Sequence, residues 1–503
     1  MKRFFILIAC FSSTLLSADS KSFSRDWLTE FQNEFLCEEK QELSSVGLTS
    51  SCVPNFPFGP PPNPFVPPPN PPAPPFQTGL LPIIIVNNSG LPDTQVFITV
   101  TGKNIPDTDQ VFLSINTGTG IGTLTNAIVG QNPTLYCYSL SQLPSASGGR
   151  VFYSPGIRTG LVWFSMINKL QLPVIEDAIA GPSIQQPNFS STSDPNYLTN
   201  FDIYEYAYIP GAGNSAIGTD ATAVSFFSIP LYGYLKGATS SASTTGLYQP
   251  RSFILSHAAK ILASATSPEV TQWDNLFLTS GSNILRLLST GKAIAGSLFD
   301  ANYLDNASEY TYSYIQDIWT GASSFYRTNV MNIEVTVTVP ATATYTYTGS
   351  VQPDNTFKFT SSNSGPDVTF PAPVTTPTPT GTTTFNIFSA VNFITPLPVA
   401  GTAADALSKL VQESMIAGLV PTTNTLSLSY LLANLSNYYT INNNLSAQGR
   451  ATGPWYDLYS KALHSLGSIY TYGFDEPLWP NVALAGPFTD GETYMSITIG
   501  DVK

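Results

Sequence analysis

From Pro54 to Phe76 more than half of the residues are proline, and no other feature of the chain limits its folding as firmly. Each proline fixes its own φ and lacks an N–H, so such a stretch enters neither a helix interior nor a central sheet ladder. It takes the extended polyproline II form and cannot build a core of its own. Residues 54–78 therefore read as a stiff Pro-rich linker. A second reading makes the stretch a ligand for proline-binding modules.

The linker separates a short N-terminal part from a long body. At the start, Lys2 and Arg3 precede an apolar run from Phe4 to Leu16 and the small residues Ser17 and Ala18, which predicts a secretory signal peptide over 1–18. The run is too short to span a bilayer. A lipoprotein box at Leu7-Ile8-Ala9-Cys10 is the competing reading, but its apolar segment would be unusually brief. In 19–53, Phe23, Trp27, Phe31 and Phe35 recur every four residues beside many acids, the pattern of an amphipathic helix.

Beyond the linker the pattern is β. The runs Leu81 to Val86, Gln95 to Thr101, Gln110 to Ile115, Gly149 to Tyr153, Gly160 to Ile167, Phe201 to Tyr208 and Ala223 to Leu235 are rich in β-branched and aromatic residues and punctuated by turn signals. Short strands at this spacing predict a β-sandwich or barrel over 79–250. From Arg251 the pattern mixes. Helical periodicity marks Phe253 to Ser264, Thr271 to Phe277, Tyr310 to Tyr326, Ala403 to Gly418 and Pro454 to Leu466, and Ile333 to Val339 with Thr342 to Tyr347 alternates like a hairpin. The expectation is a mainly β protein with α+β character: a β domain, a mixed α/β domain over 251–503, and a cleft between them. Pro371 to Thr384 reads as a surface loop, and Tyr494 to Ile499 as a final strand that returns to the β domain.

Charged residues make up only 11% of the 503, with 20 basic residues and a net charge of −13. Phosphate binding needs clustered Lys and Arg, so nucleic acid and anionic lipid are excluded as partners. Nothing downstream of the leader is apolar for long enough to span a membrane, and an exported monomer is expected. With the leader removed, Cys37, Cys52 and Cys137 remain, too few for a disulfide scaffold. A Cys37–Cys52 bridge and three unlinked thiols both stay open. His257 and His464 are the only histidines, without metal-ligand spacing, so neither metal nor cofactor is expected. Gly118, Gly120 and Gly122 lack the βαβ context of a dinucleotide loop and read as a turn.

Several stretches, in order, resemble glycoside hydrolase family 64: Leu81-Pro82-Ile83-Ile84-Ile85-Val86-Asn87-Asn88-Ser89-Gly90, Gly149-Arg150-Val151-Phe152-Tyr153-Ser154, Asp194-Pro195-Asn196-Tyr197 followed by Glu205, Leu285-Arg286-Leu287-Leu288-Ser289, Trp455-Tyr456 before Ala462-Leu463-His464, and Tyr472-Gly473-Phe474-Asp475-Glu476. The resemblance runs from about Gly79 to the C-terminus. It implies an inverting endo-1,3-β-glucanase with a thaumatin-like β domain, acting on 1,3-β-glucan or a related polysaccharide.

An inverting glycosidase needs a protonated acid for the leaving oxygen and a carboxylate roughly 6.5–9.5 Å away to activate water. On an alternating strand Glu205 shares a face with Phe201, Ile203 and Ala207, an apolar setting expected to keep it protonated. The resemblance likewise assigns Glu205 the role of general acid. At the position of the family's base aspartate, however, this chain has Ser225, within Val224-Ser225-Phe226, and serine cannot accept a proton at neutral pH. Asp220 is a candidate substitute base, although five extended residues place it roughly 16 Å from Ser225 at about 3.3 Å per residue. Asp202, on the other strand face, and Asp194 are weaker candidates for the same role. Tyr204, Tyr206 and Tyr208, with Tyr232 and Tyr234, are candidate sugar-stacking rings, and Asp202 and His464 are candidate substrate contacts. Ala207 and Ile209 stand where the family commonly has Thr and Asn.

Overall fold

The computed structural model describes residues 65–502, except for 304–317, 320–323, 374–383, 390–393, 435–456, 476–482 and several shorter stretches. The signal peptide, the amphipathic segment, Cys37 and Cys52 lie outside the described residues, as do Trp455, Tyr456, Phe474 and Glu476.

Two sheets stack face to face. The six-stranded sheet runs in the order Ser243–Gly246, Leu231–Lys236, Tyr494–Ile499, Leu81–Asn87, Gly149–Ser154, Ser145–Ala146. Its neighbour is eight-stranded: Ala483–Pro487, Ala216–Ala221, Phe201–Ile209, Ile157–Met166, Val96–Lys103, Gln110–Ile115 and Gly122–Asn126 in order, with Tyr138–Ser139 pairing to Val96–Lys103. Alternation along each strand sends one set of side chains into the space between the sheets. Ile83 and Ile85 of one sheet and Ile98, Val100, Val162 and Phe164 of the other share this buried core. Gly233 shows how closely the sheets approach: a Cβ there would lie 1.8 Å from the Tyr204 Oη.

The first and last strands meet. Tyr494–Ile499 lies parallel to Leu81–Asn87 and antiparallel to Leu231–Lys236. The expected run from Ala223 to Leu235 is broken in two. Phe226–Phe227 pairs with Asn283–Leu288 in a separate three-stranded sheet, and Leu231–Lys236 joins the six-stranded one. Between them Pro230 has no N–H, and the Ser228 and Ile229 N–H groups donate to the Asp202 carboxylate rather than to a strand, at 2.7 and 2.8 Å. The strand Ala216–Ala221 escapes the pattern because glycine and aspartate interrupt it.

In the second half, Arg251–Leu262 packs against Leu458–His464. Asp457 caps the latter helix, its carboxylate accepting the Tyr459 and Ser460 N–H groups. Thr402 caps Ala403–Ile416 in the same way. Met331–Val337 and Ala343–Val351 form the expected hairpin, within a four-stranded antiparallel sheet that adds Phe357–Ser361 and Val368–Phe370. Of the helix expected over Tyr310 to Tyr326, the structure describes a short one at Phe325–Thr328; most of the rest lies outside the described residues.

Candidate active site

Glu205 sits mid-strand in Phe201–Ile209, flanked by two antiparallel neighbours. Leu161 is its register partner on one side and Asp220 on the other. Directly opposed residues of an antiparallel pair share a face, with Cβ atoms about 4.5–5.5 Å apart. The fold thus sets the two carboxylates side by side on the eight-stranded sheet. Measuring outward from Ser225 suggested a remote Asp220; the ladder, not the chain distance, decides where its side chain goes. Glu205 keeps 8% of its surface exposed and Asp220 none.

The surroundings are apolar and aromatic. Leu161 and Ile203 are half-buried, and Trp163, opposite Ile203, is buried with its Nε1–H donating to Thr101 Oγ1 at 2.9 Å. Trp163 and Phe201 are aromatic residues of this face, with ring centres 6.3 Å apart. The position of Trp163 within a fully apolar run gave no signal separating it from core.

The tyrosine trio points the other way. Tyr204, Tyr206 and Tyr208 are buried on the opposite strand face; the Tyr206 hydroxyl lies 2.8 Å from Ser154 Oγ, and Tyr208 donates to the Gly79 carbonyl at 3.1 Å. Their rings fill the space between the sheets and are not brought to the Glu205 face. Tyr232 and Tyr234 belong to the six-stranded sheet.

Asp202 is enclosed as well. It accepts N–H bonds from Ile203, Ser228 and Ile229, and burial, outweighing these bonds and the nearby Arg286, pushes its carboxyl up to about 7. This geometry makes it the clasp of the strand-to-strand turn. His464 is buried at the end of its helix, with Nε2 3.0 Å from the Ile469 carbonyl, 3.0 Å from Thr471 Oγ1 and 3.3 Å from Asp475 Oδ2. Ser225 is half-buried just before Phe226–Phe227, and its carbonyl accepts the Ser289 N–H at 3.0 Å. Asp194 closes its own loop, accepting N–H bonds from Asn188 at 2.6 Å and Asn196 at 2.7 Å.

Arg286 ties these pieces together, a role its sequence position did not reveal. It is fully buried, donates to the carbonyls of Tyr197 and Thr199 at 2.7 and 3.1 Å, and places its guanidinium 4.8 Å from the Phe201 ring centre and 5.9 Å from that of Phe226. Burial pulls its pKa down to about 10 against the opposing pull of Tyr197, Asp202 and Asp194. One charge therefore pins the Asp194–Thr199 loop, the acid-bearing strand and the segment after Ser225. A lone arginine inside the apolar stretch Ile284-Leu285-Arg286-Leu287-Leu288 was the available signal.

The fold resembles that of solved β-1,3-glucanases. A β-1,3-glucanase domain from Clostridium beijerinckii superposes with a TM-score of 0.60 at 19% identity, covering 85% of this chain and 100% of that one. A laminaripentaose-producing β-1,3-glucanase solved with laminaritetraose gives a TM-score of 0.58, also at 19% identity, with the same coverage of 85% and 100%. No curated protein matches the chain. The family profile described as β-1,3-glucanase, glycoside hydrolase family 64, matches residues 79–476. The chain belongs to that family.

Proposed function

We propose that this protein is an exported β-1,3-glucanase-like enzyme that acts on 1,3-β-glucan, with Glu205 as general acid and Asp220 as its carboxylate partner. The observation that carries the reading is the direct cross-strand pairing of Glu205 with Asp220. Glu205, buried beside the apolar Leu161 and Ile203, donates the proton to the leaving glycosidic oxygen. The second carboxylate stabilises positive charge developing on the sugar ring. No cofactor enters this chemistry. Export rests on the leader-like N-terminus, and the thaumatin-like description of the β domain rests on the family resemblance.

A second reading is glucan binding without hydrolysis. It is favoured by Ser225 at the family's base position and by the complete burial of Asp220. The test is incubation of the purified full chain with a linear 1,3-β-glucan, measuring oligosaccharide release. Release that Glu205→Gln abolishes supports the enzyme. Binding without release, equal for wild type and Glu205→Gln, overturns it and leaves the binding reading. Ser225→Asp is expected to increase release.

A further inference from the structure

The Pro-rich segment behaves unlike a spacer once it reaches Phe65. Along the stretch without helix or strand from Phe65 to Phe76, Phe65 and Pro68 are half-buried and Pro71 and Pro74 buried, while the residues between them are exposed. Burial at every third residue is the periodicity of a polyproline II helix laid along a surface. The surface is the outer face of the six-stranded sheet. There Ile84, Val151, Tyr153, Tyr234 and Tyr494 form a cluster apart from the main core, with Phe76 and Leu80 packed against it.

The contacts match the chemistry of proline. A proline-rich backbone offers carbonyl acceptors but few N–H donors, and the sheet answers with hydroxyl donors. Tyr494 donates to the Pro71 carbonyl at 2.8 Å and Tyr153 to the Pro75 carbonyl at 2.9 Å. Burial, with Tyr234 adding to it, pushes Tyr494 up to about 12, and burial also raises Tyr153, so both hydroxyls keep their protons at neutral pH. Gly148 leaves room for Pro71, whose Cβ would lie 3.0 Å from a Cβ at that position. At the N-terminal end, Phe65 sets its ring edge-on to Phe253 of the Arg251–Leu262 helix, centroids 5.1 Å apart.

We infer that this tyrosine-lined face is a polyproline-recognition surface whose resident ligand is the chain's own 65–76 segment, and that the segment is an anchor. The ligand class is a polyproline II peptide with an apolar residue at every third position. Bound in this way, the segment fixes where the chain enters the body, beside Phe253 and on the side of the sandwich away from Glu205. It reuses the aromatic-groove mode of proline recognition within one molecule.

The test uses the full chain with a fluorescent amino acid at Val66, which is 84% exposed, read by fluorescence anisotropy. The anchored segment gives the slow tumbling of the whole protein. A synthetic peptide covering residues 65–77, at millimolar concentration to compete with the tethered copy, lowers the anisotropy, and a Gly/Ser peptide of equal length does not. Removing both hydroxyls with Tyr153→Phe and Tyr494→Phe, in a variant with unchanged near-UV circular dichroism, lowers the anisotropy without added peptide, the ratio of docked to free segment falling about tenfold or more. Rapid local motion of the label in the wild-type chain overturns the inference, as does anisotropy indifferent to both the peptide and the two hydroxyl deletions.

Discussion

The outer faces of the two stacked sheets solve opposite problems. On the eight-stranded sheet the groups proposed to act are side chains: Glu205 and Asp220 stand opposed on neighbouring strands whose backbone is already satisfied by the ladder. On the six-stranded sheet the acceptors are backbone carbonyls of a segment that belongs to no ladder, and the side chains of Tyr153 and Tyr494 supply the donors. The first face carries two buried carboxyl groups among apolar neighbours. The second is neutral and responds to shape and to single hydroxyls. The proposed chemistry and the proposed anchoring thus fall on separate surfaces, and each is expected to be disturbed without the other.

The largest expected effect tests that separation directly. Glu205→Gln removes the donor proton while keeping volume, and a general acid contributes typically about 10²–10⁴-fold, so oligosaccharide release should fall by that order with the Pro71 and Pro75 contacts intact. Loss of anisotropy at residue 66 in the same variant would show that the two faces are coupled after all.

Arg286→Ala comes next and strikes the frame under the acid face. It leaves the Tyr197 and Thr199 carbonyls without their donor and opens a void beside Phe201. Leaving buried acceptors without their donor costs about 1–3 kcal/mol, measured as a drop in urea unfolding free energy. Arg286→Lys keeps the charge and should recover part of it. A loss below about 1 kcal/mol, the level of an ordinary surface change, would mean that the guanidinium does not hold this region together.

The third effect is a slope with pH. Asp202 is pushed up to about 7 by burial, whereas an unfolded aspartate titrates near about 3.9. Between those values the native state holds the extra proton. Stability should therefore fall as pH rises from about 4 to about 7, by up to about 1.4 kcal/mol per pH unit for one proton, and level off above. Asp202→Asn retains an acceptor for the Ser228 and Ile229 N–H groups and should flatten the slope. Thermal unfolding across this range checks it; an equal slope in both proteins would assign the proton elsewhere.

The strands were legible because β-branched runs bounded by turn residues carry their own signal: Gln110–Ile115 and Tyr494–Ile499 match the sequence reading at both ends. Which side of a strand is core was less legible. In Phe201–Ile209 nearly every residue is buried on both faces, so period-two alternation separates Glu205 from Tyr204 and Tyr206 without saying which set meets the other sheet. The Glu205–Asp220 pairing was out of reach for a different reason. Register between strands is a tertiary fact, and Ala216–Ala221 lacks the alternation that would have marked it as a strand at all. Proline content likewise predicted the conformation of 65–76 but not its docking, because the acceptor face is assembled from strands as distant in sequence as Tyr153 and Tyr494.

The smallest expected effect sharpens the comparison from the proline side. Gly148 has φ +91°, a backbone region unfavourable for residues with a Cβ, and an added methyl would press on the Pro71 Cβ at 3.0 Å. Gly148→Ala should cost about 1–2 kcal/mol from the backbone alone. Part of the consequence should appear as motion at residue 66, since the buried prolines share one stiff helix and lifting Pro71 strains the Tyr494 contact. Oligosaccharide release should stay at the wild-type level, because the methyl lies on the sandwich face remote from Glu205. A variant that loses stability with no change in anisotropy would confine the cost to the glycine's own backbone, and the fit between Gly148 and Pro71 would then contribute nothing to holding the segment.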